Sequence, residues 1–110
     1  MEGFLRLPGA DGLSPGGERS FKVLGRRILI RRSEDGDLVA LELACRHQNA
    51  DLTGATRQGS VLTCSRHGWR YDLRDGACLD QPWAALRRFA VVETDDGAMW
   101  IATRPAPESA

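Results

Sequence analysis

Hydrophobic residues in this chain fall into short groups separated by glycine, proline and aspartate, and no long stretch repeats with the period of an α-helix. Short apolar runs bounded by turn residues are typical of strands. We expect a first short strand at Phe4, Leu5 and Leu7, and a loop over the glycine- and proline-rich segment 8–20 that follows. The pattern therefore predicts an all-β domain.

Three pairs of apolar runs have the spacing of β-hairpins. In each pair a short connection containing glycine joins the two runs, and such connections close antiparallel hairpins. The paired segments are 28–32 with 38–43, 69–73 with 77–79, and 89–93 with 99–102. The segment 104–110 carries two prolines and has little to bury, so it is predicted to be a disordered tail after a single domain at 1–103.

Composition and charge limit the classes of function. The chain has 110 residues, and its 15 basic and 15 acidic side chains cancel, so overall charge does not indicate nucleic acid or an anionic membrane as partner. The longest apolar run, 98–102, is far too short for a membrane span, and the N-terminus lacks the pattern of a signal peptide. A cytoplasmic protein with one site is therefore expected.

Two short segments each combine a cysteine with a histidine. One residue separates Cys45 from His47, two separate Cys64 from His67, and sixteen lie between the segments. A [2Fe–2S] cluster of the Rieske type is bound by two cysteines on one iron and two histidines on the other. Two loops at hairpin ends, each supplying one thiolate and one imidazole, would hold such a cluster between them.

Other interpretations of these four residues fit the pattern less well than a cluster. Zn²⁺ also accepts two cysteines and two histidines, but the usual zinc finger pairs like ligands within one knuckle, whereas each segment here is mixed. Four ordinary buried residues are a weaker interpretation, since the arrangement uses both histidines of the chain. The third cysteine, Cys78, follows the turn at Asp75 and Gly76 and is expected to be a small buried core side chain.

The segments CRHQNADL, at 45–52, and CSRHGWRYDLRDGACLDQP, at 64–82, resemble the Rieske ferredoxin family and the Rieske domains of ring-hydroxylating oxygenases. The resemblance covers roughly residues 20–102. It implies the Rieske iron–sulfur fold, an antiparallel β base with a small cluster-binding subdomain of two ligand loops at about 44–83. It also implies that Cys45 and Cys64 hold the inner iron of one [2Fe–2S] cluster, while His47 and His67 hold the outer, more exposed iron.

The resemblance further implies a small soluble ferredoxin that is not itself an enzyme. It would carry single electrons from a flavoprotein reductase to a terminal ring-hydroxylating oxygenase, as a monomer, with neither nucleic acid nor membrane as partner. An oxygenase of this family needs a second, mononuclear iron bound by two histidines and a carboxylate, and both histidines are already assigned. The Rieske-like small subunit of a larger oxidoreductase such as nitrite reductase is the alternative.

Departures from the family pattern bear on the potential of the cluster. High-potential members resemble this chain but carry a disulfide between the two loops, at positions that are Ala50 and Arg66 here, and Trp69 stands where they have a hydroxyl donor. Fewer donors to the cluster sulfurs predict a midpoint potential near about −150 mV. The Tyr71 phenol is expected either to donate to a cysteine sulfur, as the matching tyrosine does, or to be a half-buried strand aromatic.

Charged and covering residues near the ligands complete the predicted site. Four arginines lie beside the ligands in sequence and are either solvated surface charges or a positive patch that attracts an acidic partner: Arg46, Arg57, Arg66 and Arg70. Gln81 and Pro82 are expected to supply a third loop that covers the cluster.

Overall fold

A computed structural model describes residues 3–10, 12–44, 46, 52, 55–65 and 68–106, and within these ranges the chain forms ten strands and no helix. The predicted all-β class is therefore confirmed. No described segment forms a helix long and apolar enough to span a bilayer. The strands are β1 (Phe4–Arg6), β2 (Glu18–Val23), β3 (Arg26–Arg32), β4 (Leu38–Glu42), β5 (Thr56–Gln58), β6 (Val61–Thr63), β7 (Arg70–Asp72), β8 (Arg88–Phe89), β9 (Val91–Glu93) and β10 (Met99–Ala102).

The strands make three antiparallel sheets, which we call the outer sheet (β1-β10-β9), the central sheet (β2-β3-β4-β8) and the small sheet (β5-β6-β7). Side chains alternate between the two faces of a strand, and the central sheet buries both faces. Ile28 and Ile30 pack with Met99 of the outer sheet, whereas Leu29 and Leu41 pack with residues of the small sheet. The central sheet therefore joins the base of the domain to the small sheet.

The first predicted hairpin is confirmed, and the third is modified. Strands β3 and β4 pair over almost the predicted ranges, and β9 pairs with β10. The predicted strand 89–93 is divided at Ala90, because Phe89 pairs with Ala40 in the central sheet while Val91 pairs with Ile101 in the outer sheet. The chain thus changes sheets within one apolar run.

The second predicted hairpin is present as a short pairing. The N–H of Asp72 donates to the carbonyl of Ala77 at 2.8 Å, and the N–H of Leu79 donates to the carbonyl of Arg70 at 2.7 Å. These bonds flank the bridge between Cys78 and Tyr71, and the other partner of β7 is β6.

Three strands were missed: β2 begins at Glu18 within the predicted loop 8–20, and both β5 and β6 lie before the predicted strand 69–73. Strands β2 and β5 are edge strands, and all three residues of β5 are exposed. A polar edge strand lacks the apolar alternation by which a strand is recognised.

Contacts between β2 and β5 and a glycine turn fix the small sheet against the base. Glu18 on β2 accepts hydrogen bonds from the Arg57 guanidinium on β5, and its second carboxylate oxygen lies 3.0 Å from Arg31 Nε. Gly76 has a φ of +83°, and a Cβ at this position would lie 2.8 Å from Leu41 Cδ2. Only glycine therefore lets this turn pack so closely on the central sheet.

The end of the described chain returns to the central sheet. The backbone N–H of Ala106 donates to the carbonyl of Arg88 at 2.7 Å. Of the predicted tail, residues 104–106 are described, and Ala106 contacts the backbone of β8. Residues 107–110 lie outside the described residues.

Candidate metal centre

The second predicted ligand loop begins directly after β6. The backbone N–H of Cys64 donates to the carbonyl of Trp69 at 2.8 Å, and the N–H of Gly68 donates to the carbonyl of Cys64 at 2.9 Å. These bonds close the loop between β6 and β7. Gly68 has a φ of +72°, in the left-handed region that favours glycine. The sequence around Cys64 therefore folds into a tight loop held at both ends by strands.

Cys64 is buried, with 3% of its surface exposed, and belongs to the core cluster that also contains Leu62, Tyr71 and Cys78. A buried cysteine in apolar surroundings keeps its proton unless a metal takes the thiolate charge, and thiolates suit iron–sulfur clusters. This position fits the inner ligand of a cluster. The burial of Cys78 agrees with its prediction as a core side chain.

The other three predicted ligands, Cys45, His47 and His67, lie outside the described residues. The described ranges hold no group of three or more histidine, cysteine, aspartate or glutamate side chains that could bind a metal ion. Cys64 is the one predicted ligand within those ranges, so the complete ligand set stays a prediction.

Tyr71 links the second hairpin to the first ligand segment. Its side chain is fully buried, which excludes the half-buried strand aromatic, and its backbone pairs with Leu62 on one side and Cys78 on the other. The phenol oxygen accepts a hydrogen bond from the backbone N–H of Arg46 at 3.1 Å. Because a phenol also has one proton to donate, the predicted bond to a cysteine sulfur is compatible with this contact and stays a prediction.

Arg46 forms a second link that sequence reasoning missed. Its Nη1 donates to the carbonyl of Ala85 at 2.8 Å. Together with the Tyr71 contact, this bond ties the residue after Cys45 both to β7 and to the segment that follows residue 83. No local signal in the sequence pairs positions 46 and 85, so only the folded chain shows this link.

Two tryptophans stand beside the second ligand loop. Trp69 and Trp83 meet edge to face, with ring centroids 5.6 Å apart and an interplanar angle of 84°. Trp69 packs against the core, whereas Trp83 is 64% exposed. This contact brings the segment after Gln81 and Pro82 to the loop of Cys64, where the third covering loop was predicted. In the sequence, the tryptophan directly after Pro82 was a signal of this contact that was not used.

Of the two interpretations of the four arginines, a positive patch does not hold for two of them. Arg57 is paired with Glu18, and Arg70 Nη2 lies 2.8 Å from Asp80 Oδ1. The hydrogen bond from Arg57 is the largest cause that lowers the pKa of Glu18, and the bond from Arg70 lowers the pKa of Asp80 in the same way. Carboxylates therefore compensate these charges. Arg66 lies outside the described residues.

Comparison with known proteins shows which protein family the chain matches. The family model described as Rieske [2Fe-2S] domain matches residues 5–94. Cholesterol 7-desaturase nvd from Hemicentrotus pulcherrimus is 30% identical over 82 residues, which are 74% of this chain and 18% of that protein. The chain spans about a fifth of the length of the curated relatives it matches.

Solved structures share the same fold over nearly the whole chain. The ferredoxin of carbazole 1,9a-dioxygenase from Nocardioides aromaticivorans IC177 is 26% identical with a TM-score of 0.64, covering 92% of this chain and 98% of that one. A chain in the complex of reduced oxygenase and oxidized ferredoxin of carbazole 1,9a-dioxygenase is 24% identical with a TM-score of 0.68. The match covers 98% of this chain and 100% of that one. The putative NADH-dependent nitrite reductase small subunit from Mycobacterium tuberculosis is 20% identical with a TM-score of 0.63. The match covers 92% of this chain and 95% of that one, and it shows the fold alone.

Proposed function

Because the chain belongs to the Rieske [2Fe-2S] domain family, we propose that Cys45, His47, Cys64 and His67 hold the one [2Fe–2S] cluster of this family and that the protein is an electron carrier. When bound, such a cluster accepts and releases a single electron at a potential set by its surroundings. Cys64 supports the assignment, since it is buried at the start of a closed loop between β6 and β7.

The match to a ferredoxin is the observation that favours a carrier. The chain covers 98% of the ferredoxin of carbazole 1,9a-dioxygenase, whereas it covers about a fifth of the curated oxygenase and desaturase relatives. A ferredoxin of the carbazole system occurs in complex with its oxygenase. By analogy, we propose a terminal oxygenase as the electron acceptor and a flavoprotein reductase as the donor, with the carrier working in the cytoplasm as a monomer.

The residues around the proposed centre hold the ligand loops in place. Tyr71 and the Arg46 side chain fix the chain next to Cys45, and the Cys64–Trp69 bond fixes the second loop. Trp69, at the end of that loop, contacts Trp83 edge to face. Supporting contacts of this kind orient metal ligands and limit the access of water, both of which set the potential of a centre.

A second candidate is a Rieske domain that supplies electrons within a larger oxygenase. The 30% identity to cholesterol 7-desaturase nvd favours it. The residues of this chain offer no pair of histidines for a mononuclear iron, because its two histidines both belong to the proposed cluster set. In that case the substrate chemistry would take place on other residues than those of this sequence.

Matched cysteine variants test the cluster assignment. Cys64→Ser should yield protein without the visible colour and iron of the wild type, because serine is a poor replacement for a thiolate ligand. Cys78→Ser changes a cysteine of the same core cluster and should keep both. Equal iron in the two variants would contradict the assignment of Cys64.

The association state of the isolated protein tests whether it is a free electron carrier. Affinity-tagged protein isolated from its native cells should separate from its redox partners as a monomer in gel filtration. A tight stoichiometric complex that survives gel filtration would instead favour a subunit of a larger enzyme.

A further inference from the structure

A basic groove of about 460 Å³ lies at the end of the central sheet where β4 leads into the first ligand segment. Four cationic side chains and one carboxylate line it, a net formal charge of +3 on a chain whose total charge is zero: Lys22, Arg26, Arg27, Arg87 and Glu42. Arg26 Nη1 lies 3.0 Å from Glu42 Oε1, and neither Lys22 nor Arg27 has an ion-pair partner among the described residues. Ala44, the residue before Cys45, is part of the lining.

The two-residue turn between β2 and β3 stands beside this groove and carries an unfavourable leucine. Leu24 has a φ of +50° and is the one described residue other than glycine with a positive φ. Asparagine, aspartate and glycine are the residues that adopt this conformation readily. The Leu24 side chain is also 68% exposed. An apolar residue is thus held in a strained conformation with its side chain in water.

One cross-strand pair of the same hairpin also lowers the stability of the fold. Lys22 on β2 lies directly opposite Arg27 on β3, and like charges at such positions repel each other. Both side chains are exposed. Folding stability therefore explains neither the leucine nor the charge pair. Local features that oppose stability together at one surface are typical of a binding site.

We propose that Leu24 and the basic groove beside it form a docking surface for an acidic protein partner. This inference rests on the proposed function, because the surface adjoins the first ligand segment and would place a redox partner there. The Leu43 N–H donates to the Arg27 carbonyl at 2.9 Å, so the hairpin and the start of that segment are joined. Leu24 would enter an apolar pocket of the partner, and Lys22 and Arg27 would face its carboxylates.

A labelled pentapeptide in which four glutamates flank one phenylalanine is a suitable probe, with a serine-centred and a lysine-flanked peptide as controls. We expect fluorescence anisotropy at about 20 mM salt to show binding of the glutamate–phenylalanine peptide that disappears near 0.5 M salt. Lys22→Gln and Arg27→Gln should each weaken it about 3- to 10-fold. Lys22→Arg should restore it, and Arg104→Gln, at an exposed arginine outside the groove, should not change it.

Leu24→Asn separates docking from a structural role. Asparagine tolerates the backbone conformation, so the variant should unfold a few degrees higher than wild type. It should nevertheless reduce binding of the phenylalanine peptide to the level of the serine peptide. A lower unfolding temperature, or unchanged preference for phenylalanine, would overturn the role of Leu24.

Three other results would overturn the docking surface. Equal binding of the lysine-flanked peptide would exclude charge recognition. Complete competition by phosphate, with no gain from phenylalanine, would indicate a small-anion site. Tighter binding to phosphatidylserine vesicles than to the acidic peptide would indicate a membrane surface. Iron content and the paramagnetic signal of the same samples report on the cluster separately, so failure here leaves the proposed electron carrier open to its own test.

Discussion

Replacing Tyr71 by phenylalanine removes the hydroxyl through which β7 contacts Arg46, the residue after Cys45. The ring keeps its volume and its buried place between Leu62 and Cys78, so no cavity of consequence forms. The change deletes the acceptor of the Arg46 N–H, which lies 3.1 Å from the phenol oxygen. The variant therefore removes the hydrogen bond that holds the backbone of the residue after Cys45.

The expected loss follows from that hydrogen bond. A partly buried backbone N–H left without its acceptor costs about 1–2 kcal/mol. For a domain of about this size, 1 kcal/mol corresponds to a shift of roughly 4–8 °C in unfolding temperature. Tyr71→Phe should therefore unfold about 4–16 °C below wild type. If the phenol also donates to a cysteine sulfur, the midpoint potential of the cluster falls as well, because a donor that stabilises the reduced state is lost.

Calorimetry and a redox titration of the same samples measure both effects. Thr94→Val is the matched control, since it also removes a hydroxyl, one that contacts the Ala98 carbonyl in the turn between β9 and β10. The control should lower the unfolding temperature and leave the potential unchanged. A Tyr71→Phe protein with wild-type unfolding temperature and potential would refute the role assigned to this hydroxyl.

Two further predictions concern the attachment of the small sheet. Gly76→Ala and Gly97→Ala share the strain of a φ near +85°, but only Gly76 meets a neighbour, Leu41 Cδ2 at 2.8 Å. Gly76→Ala should therefore lose about 1–3 kcal/mol more than Gly97→Ala in urea unfolding, and equal losses would contradict this packing. Glu18→Gln should reduce the free energy of unfolding by about 0.5–1 kcal/mol at neutral pH. Because the pKa of Glu18 is lowered in the folded state, its contribution is complete above the unfolded-state pKa of about 4.3 and is lost as pH falls through the folded pKa. A difference between Glu18→Gln and wild type that persists at about pH 2 would show that the carboxylate charge is not its cause.

The parts of the fold that the sequence predicts are those with a local signal. The hairpin of β3 and β4 was predicted because its apolar residues are dense and its connection contains Gly36. The strands β2 and β5 were missed because their residues are largely polar and their pairing with β3 and β6 is not visible from their own composition. The break at Ala90 was missed because one apolar run does not show which sheet each half joins.

The candidate site divides in the same manner. The four ligands stay a prediction from residue types and spacing, whereas the Rieske fold was implied by the resemblance of segments 45–52 and 64–82 to the family. The contacts that support the site join distant positions: Arg46 and Tyr71 are 25 positions apart in the sequence, and Glu18 and Arg57 are 39 positions apart. Since nothing local pairs such positions, the sequence left a positive patch at Arg57 and Arg70 open, where the folded chain supplies carboxylates.

Electron paramagnetic resonance of the reduced protein, together with metal analysis, tests the central claim most directly. A cluster held by both cysteine and histidine should give a rhombic signal of low average g with two irons per chain. A colourless protein with one zinc per chain would contradict the cluster, and the signal of an all-cysteine cluster would contradict the assignment of His47 and His67.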